Sequence, residues 1–258
     1  MDKKVSCIIP AYNEEKTITD TIKTALETPE IGEVIVVNDG SEDNTKEKVS
    51  NFQSASQQGG FSNFHKKKNF KFVNLNRNQG KGYAVIQGVK KSQHDYLLFL
   101  DADLINLKPY QLSSLIQPVI SNKVDMTIGP QISLQKPRWI IGTLPFCGQR
   151  CLKKLIIKPH LKKLAKSKYG LEVLLNQIFN DKKVIVVPLI GNDIDHLLKP
   201  HKEKDWVKNY AKEIWQITQK SIQTKSEATQ QRIKEQFLFN LSSYLKLNVK
   251  KIKEYIES

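Results

Sequence analysis

Two carboxylates separated by one alanine close an apolar run near the middle of this 258-residue chain: Asp95-Tyr96-Leu97-Leu98-Phe99-Leu100-Asp101-Ala102-Asp103. An unbroken apolar run of this length reads as a parallel strand covered on both faces, and ligands of open α/β sheets sit at the carboxyl ends of such strands. In a continuing strand, residues two apart share a side with Cα atoms about 6.6 Å from each other, so both carboxylates could reach one hard divalent cation. A cation held there could carry a diphosphate. The other reading is local, because an aspartate after a strand commonly opens a turn.

Three further segments bring chemistry to the same kind of place. Val5-Ser6-Cys7-Ile8-Ile9-Pro10-Ala11-Tyr12-Asn13-Glu14-Glu15 is a short apolar strand broken by Pro10 and followed by a polar helix start. Val34-Ile35-Val36-Val37-Asn38-Asp39-Gly40-Ser41 is a second apolar strand that ends in an acid and a glycine turn. Asp39 could accept hydrogen bonds from a base N–H or a ribose hydroxyl, or cap the helix that starts near Ser41 or Asp43. In Asn74-Leu75-Asn76-Arg77-Asn78-Gln79-Gly80-Lys81-Gly82-Tyr83, a strand gives way to a Gly-Lys-Gly turn that opens a helix. There the backbone can approach an anion closely and the helix N-terminus offers free N–H groups, so Lys81 reads as a phosphate or base contact or as a solvated lysine. It is not a P-loop, since the Gly-x-x-x-x-Gly-Lys-Ser/Thr spacing is absent.

Read in this order, the four segments resemble the nucleotide-binding half of glycosyltransferase family 2, a family of GT-A fold enzymes. The resemblance covers about the first 130 residues and continues more loosely to about residue 200. It implies that Pro10, Ala11, Tyr12, Glu14, Asp39, Lys81, Asp101 and Ala102 contact a nucleotide-sugar. It also implies that Asp101 and Asp103 hold Mn²⁺ or Mg²⁺, with Asp103 acting in catalysis. Glu14 judged alone would be a first-turn acid favoured by the helix dipole. In one branch of the family a histidine after a late strand joins the metal, and His196, after Lys183–Leu189, stands in a comparable place, with His201 as the nearby competitor. Imidazole suits Mn²⁺-like or softer ions better than Mg²⁺.

After the aspartates the chain has Ile105 and then Asn106, where the branch that uses a dolichyl-phosphate acceptor tends to carry a glutamine. Downstream, Phe146-Cys147-Gly148-Gln149-Arg150-Cys151 resembles a Gly-Gln-Arg stretch near the acceptor site of the branch that uses a phosphoglycerate, and Tyr169-Gly170-Leu171-Glu172 resembles its Gly-x-Glu helix. The resemblance implies that Arg150 neutralises an anionic acceptor or the donor diphosphate, and that Glu172 binds or positions an acceptor hydroxyl. Alone, they would read as a surface arginine and a helical acid.

Composition narrows the class without naming it. The formal charge of +15 and pI near 9.5 suit nucleic acid, an anionic membrane or phosphorylated substrates, but the lysines are dispersed and no nucleic-acid motif with interleaved aromatics is present. Three cysteines without zinc-type spacing point to reduced thiols and a cytoplasmic setting. No apolar run reaches the roughly 18 residues of a membrane span, so a lipid-linked acceptor would be met peripherally, from the membrane surface.

The expected architecture is α/β: a doubly wound, mostly parallel Rossmann-like sheet of the GT-A kind with a C-terminal helical extension. Residues 1–200 form the expected GT-A domain, with a nucleotide-sugar half at 1–130 and an acceptor half at 131–200, and residues 201–258 form the extension. Helices are expected to begin near Glu14, Ser41, Gly80 and Pro109, with a long surface loop over Gln53–Asn69 and a lid over Ile132–Gly142. The patterns Trp206–Lys220 and Glu227–Glu257 have helical apolar spacing and can pack on the core, pair two subunits as a homodimer, or lie on a bilayer. The reading that results is a metal-dependent transfer of a sugar from a nucleotide-sugar, UDP-linked before GDP-linked, to an anionic acceptor, phosphorylated or polyprenyl-phosphate. The alternatives are a nucleotidyltransferase on a related sheet and a non-catalytic basic adaptor for RNA or membrane.

Overall fold

The computed structural model describes residues 3–57, 69–133, 147–167, 170–191 and 195–196, together with 227, 231 and 235. Strand β1 (Val5–Ala11) is buried almost throughout, and it lies inside a seven-stranded sheet of order β3-β2-β1-β4-β8-β6-β9. Its neighbours β2 (Ile31–Asn38) and β4 (Tyr96–Phe99) run parallel to it, and β3 (Asn69–Asn74) runs parallel to β2. Alternation then sorts the side chains. Cys7, Ile9, Val34 and Val36 enter the core under α1 (Ile18–Glu27), α2 (Thr45–Gln57) and α4 (Pro109–Ile120). Ile8, Ile35 and Val37 enter the opposite core with α3 (Lys81–Lys91).

Pro10 fits this central strand for a specific reason. Ile8 O accepts Leu100 N–H, and β4 leaves the ladder there, so the edge toward which Pro10 offers no donor has no partner strand left to lose.

Beyond β4 the sheet becomes mixed. β8 (Arg150–Lys153) is antiparallel to both β4 and β6 (Met126–Ile128), and β9 (Val184–Val186) runs parallel to β6. Two small ladders complete the edge: β7 (Gln131–Ser133) pairs with β10 (Leu189–Gly191), and β5 (Leu104–Ile105) pairs antiparallel with β11 (Asp195–His196). The segment between β8 and β9 folds as α5 (Lys154–Ile157), a 3₁₀ turn (Lys158–His160), α6 (Leu161–Ala165) and α7 (Leu171–Ile178). The result is the doubly wound, mostly parallel α/β sheet that the strand–helix alternation predicts.

Several expected boundaries shift. Helices α1 and α2 begin at Ile18 and Thr45, about a turn later than Glu14 and Ser41, because the intervening polar residues bind each other across the two loops. The expected loop at Gln53 is helix as far as Gln57, and the expected lid begins in β7, with residues 134–146 outside the described residues. Strand β4 stops at Phe99, and Asp101-Ala102-Asp103 lies in a turn, so the strand spacing expected for the two carboxylates does not apply.

The chain divides into two compact units, Met1–Leu197 and Leu198–Ser258. In the second, Glu227, Gln231 and Glu235 are helical, and Gln231 Nε2 donates to Glu235 Oε1 at 2.7 Å. The rest of the two C-terminal patterns, and with them the subunit pairing, lies outside the described residues. Among the described residues no helix is long and apolar enough to cross a membrane.

Candidate active site

The carboxyl ends of β1, β2, β3 and β4 deliver four loops to one edge of the sheet, and hydrogen bonds lock the first two together. Asn13, held at φ 56°, donates its N–H to Ser41 Oγ, while its side-chain oxygen accepts Glu42 N–H. Glu14 N–H donates to Thr45 Oγ1 at 2.7 Å and Glu15 N–H to Asp43 Oδ2 at 3.1 Å. The Glu14 carbonyl accepts Thr17 and Ile18 N–H at the entry to α1. Tyr12 is left 37% exposed at this rim, with Ala11 buried and Pro10 half-buried beneath it.

Asp39 is buried, and it fastens the third loop to the second. Its Oδ1 accepts Gln79 N–H at 2.9 Å and its Oδ2 accepts Gly80 N–H at 2.8 Å. The expected cap at Ser41 or Asp43 is therefore not what this carboxylate makes; it orders the turn that opens α3. Burial raises the Asp39 pKa and the two amide donors offset part of that rise. Gly80 has φ 94°, a conformation that glycine adopts without Cβ strain.

Lys81, the next residue, stands where the sequence puts it, at the start of α3, but it is not a solvated lysine. Its Nζ lies 2.6 Å from Asp101 Oδ1 and 2.6 Å from Glu172 Oε1. Burial alone would lower the ammonium's pKa; the two carboxylates outweigh it and hold Lys81 above the ordinary lysine value, so it is charged at neutral pH. Glu172 is supplied by the first turn of α7, where the helix dipole favours an acid.

Asp101 is engaged on its other side as well, because Gln149 Nε2 donates to its Oδ2 at 2.8 Å. Close approach at this point depends on Gly148, where an added Cβ would collide with the Asp101 carboxylate. The Cys147 thiol donates to Gln149 Oε1 at 3.2 Å, and burial pushes its pKa up to about 11, so the thiol stays protonated.

Arg150 is not the surface arginine that it would read as alone. It is fully buried on β8, in register with Phe99 of β4 and Ile128 of β6. Its Nε donates to Cys147 O at 2.7 Å and its Nη1 to Asn176 Oδ1 at 2.6 Å. The guanidinium therefore ties the 147–150 strip to α7. Burial lowers its pKa, with Glu172, Cys147 and Asp101 offsetting part of the effect. The neighbouring lysines are engaged as well: Lys153 pairs with Asp125 at 2.8 Å, and Lys154 donates to Ser92 O.

The metal ligands expected from the sequence are brought together only in part. Both Asp101 oxygens already meet Lys81 and Gln149, and Asp103 follows in the same turn. The register of β11 sets the His196 backbone opposite Leu104, the residue after Asp103. Among the described residues no group of three His, Cys, Asp or Glu side chains is placed to hold a metal ion. His201 lies outside the described residues. The sequence reading included Gly148 and Gln149 in its Gly-Gln-Arg stretch without giving either a role, and it missed Asn176. Asn176 could have been noticed from its spacing, since it lies four residues after Glu172 and so on the same helix face.

The family model of glycosyl transferase family 2 matches residues 6–145, more than half of the chain, and the chain belongs to this family. It is 38% identical over 103 residues to poly-beta-1,6-N-acetyl-D-glucosamine synthase of Staphylococcus epidermidis, and 36% identical over 102 residues to that of Staphylococcus aureus. Each alignment covers 39% of this chain and 22% of the relative, so the matched part is about a fifth of those proteins. In fold the chain resembles glucosyl-3-phosphoglycerate synthase from Mycobacterium tuberculosis in complex with Mn²⁺, UDP-glucose and phosphoglyceric acid. The TM-score is 0.62 at 19% identity, over 86% of this chain and 79% of that one. The same enzyme with Mg²⁺ and UDP gives 0.60 over the same shares.

Proposed function

We propose that this chain transfers a sugar from a nucleotide-sugar, UDP-linked before GDP-linked, to a phosphorylated acceptor, with Mn²⁺ or Mg²⁺ at the carboxylate turn. The observation that carries the reading is the charged Lys81 at the N-terminus of α3, between Asp101 and Glu172, at the strand carboxyl ends where ligands of open α/β sheets sit. A leaving diphosphate needs cationic compensation, which Lys81, fixed by two carboxylates at the N-terminus of α3, would supply together with the bound cation.

We assign the divalent cation to part of the expected donor set. Lys81 and Gln149 occupy Asp101, so Asp103 and His196 are the residues that would hold the ion, and Asp101 instead orients Lys81. The bound ion would act as a Lewis acid on the diphosphate. Asp39 shapes the turn that presents Lys81, and Tyr12 on the rim is the aromatic residue assigned to a base or ribose. Glu172, which meets Lys81, is the carboxylate we assign to orienting an acceptor hydroxyl. The neighbouring synthase, which binds UDP-glucose, Mn²⁺ and phosphoglyceric acid, supports the donor, the ion and the class of acceptor.

A thermal-shift panel of UDP, GDP and their glucose conjugates, with Mn²⁺ or chelator, tests the donor half. UDP release on adding a phosphorylated three-carbon acid tests the acceptor half. Release of pyrophosphate from a nucleoside triphosphate, with no turnover of UDP-sugars, would overturn the reading in favour of nucleotidyl transfer.

A further inference from the structure

From residue 126 to residue 171 the chain contains no aspartate or glutamate, and every charged residue in that interval is basic. The stretch Lys154–Ala165 within it folds as α5, the 3₁₀ turn and α6 in immediate succession. Ile157 and Leu164 point inward and are fully buried, whereas Lys158, Lys162, Lys163 and Lys166 are exposed. Among these lysines Leu155 stands 78% exposed, more than any other large hydrophobic residue among those described. Helix α6 packs on α3, which carries no acid and ends in exposed Lys90 and Lys91.

Helices α5 and α6 also pack on α7, whose one acid, Glu172, is paired with Lys81. Asp95 and Glu33 act on Lys154, and Glu33 is already paired with Lys71 at 2.7 Å. Among the described residues no ion pair includes Lys158, Lys162, Lys163 or Lys166. Like charges repel along such a helix face, and an opposing layer of anions relieves the repulsion.

We propose that this face binds an anionic phospholipid bilayer, with the four lysines at the headgroup phosphates and Leu155 entering the interfacial layer. Long lysine stems reach headgroups while their ammonium groups stay hydrated, and a single apolar residue among them adds insertion to attraction. A nucleic acid fits less well, because Lys154–Lys166 holds no phenylalanine, tyrosine, tryptophan or arginine to stack on a base, and Leu155 would have no counterpart on a sugar-phosphate backbone. The assignment stands independently of the transfer reaction.

The test is co-sedimentation of the full chain with vesicles of phosphatidylcholine, alone or mixed with phosphatidylserine. Binding is expected only with phosphatidylserine and should fall by on the order of tenfold or more when salt is raised several-fold. Replacing Lys158, Lys162, Lys163 and Lys166 by glutamine should abolish it. The same change at Lys16, Lys23, Lys46 and Lys123, also exposed, alters net charge equally and should leave it intact. Leu155→Ser should weaken binding several-fold at unchanged charge. Equal loss in the two quadruple variants would mean that only net charge is read and would overturn the proposal. So would absence of phosphatidylserine binding, or tighter binding to an RNA homopolymer that is indifferent to Leu155→Ser.

Discussion

Lys81 Nζ and Glu172 Oε1 lie 2.6 Å apart although one opens α3 early in the chain and the other sits in the first turn of α7 near the end of the first compact unit. This contact closes a circuit. Lys81 holds Asp101, Asp101 accepts Gln149, Cys147 donates to Gln149 and accepts Arg150, and Arg150 reaches Asn176 one helical turn beyond Glu172. Each charged member has an opposite charge or a hydrogen-bond partner within the circuit, so removing one leaves its neighbours buried and uncompensated.

Lys81→Met should therefore damage both function and stability. Asp101 and Glu172 would face each other without a cation, at a cost of about 2–4 kcal/mol, toward the lower side because Lys81 is partly exposed. Transfer should fall by about a hundredfold or more, since the fixed positive charge beside the diphosphate is gone. Urea denaturation and UDP-release assays on the same preparation check the two effects, and the Lys81→Arg variant should recover stability more than rate.

Gly148→Ala tests the close approach to Asp101. The added Cβ must displace the carboxylate or the strand, so a loss of about 1–3 kcal/mol is expected for a change of one methyl group. The rate should drop with it, because Asp101 can no longer orient Lys81. Gly170→Ala, where the nearest atom is Ser167 O at 3.3 Å, serves as the control and should be far milder in denaturation and activity measurements.

Arg150→Lys and Asn176→Ala should resemble each other. Each breaks the link between the 147–150 strip and α7, and the buried charge left by Asn176→Ala is expected to cost about 1–3 kcal/mol. Donor hydrolysis and transfer should decline in parallel in both variants, because α7 carries Glu172. Persistent donor hydrolysis with loss of transfer alone would support the acceptor role that the sequence suggests for Arg150.

How far the sequence could be read follows from these contacts. Apolar runs ending in acids or glycines were sufficient to place β1, β2 and β4, and Pro109 marked the start of α4, since strand burial and a proline at a helix start are local properties. The late starts of α1 and α2 were hidden because Asn13, Glu15, Ser41 and Asp43 bond across loops, which no periodicity encodes. The burial of Arg150 was hidden for a similar reason: an arginine after Gly-Gln is exposed or buried according to which sheet neighbours flank it, and β8 is inserted antiparallel between β4 and β6. Glu172 left a trace, as the first acid after residue 125 and set among leucine and valine, a pattern that calls for a buried cationic partner.

Acid should destabilise the first unit through Glu33, far from the transfer site. Burial would raise the pKa of this carboxyl, but Gln93 N–H, Lys71 and Ser6 Oγ together hold it below its ordinary value of 4.5. A group whose folded pKa is depressed contributes stability that is present above the unfolded pKa and lost as pH falls through the folded value. Glu30 and Asp125 are depressed too and act in the same direction. Denaturation measured from neutral pH down past 4.5 should show stability falling, and Glu33→Gln should start lower and lose about 1 kcal/mol less across that range.

The metal reading rests on Asp103 and His196, and the two histidines on either side of residue 200 separate it from a general cation effect. His196 belongs to β11, whose register sets it opposite Leu104 beside the carboxylate turn, whereas His201 follows the end of the first unit. If His196 supplies an imidazole ligand, His196→Ala should weaken the Mn²⁺-dependent part of UDP binding by about 10–100-fold, and His201→Ala should leave it unchanged. Asp103→Ala should remove the difference between Mn²⁺ and chelator altogether. Asp101→Asn should lower the melting temperature of the nucleotide-free protein because Lys81 and Gln149 lose their carboxylate. Isothermal titration of UDP with Mn²⁺ and with chelator, paired with nucleotide-free melts, resolves all four variants. Equal UDP affinity with ion and with chelator in the parent would mean that Lys81 and the helix N-terminus alone compensate the diphosphate.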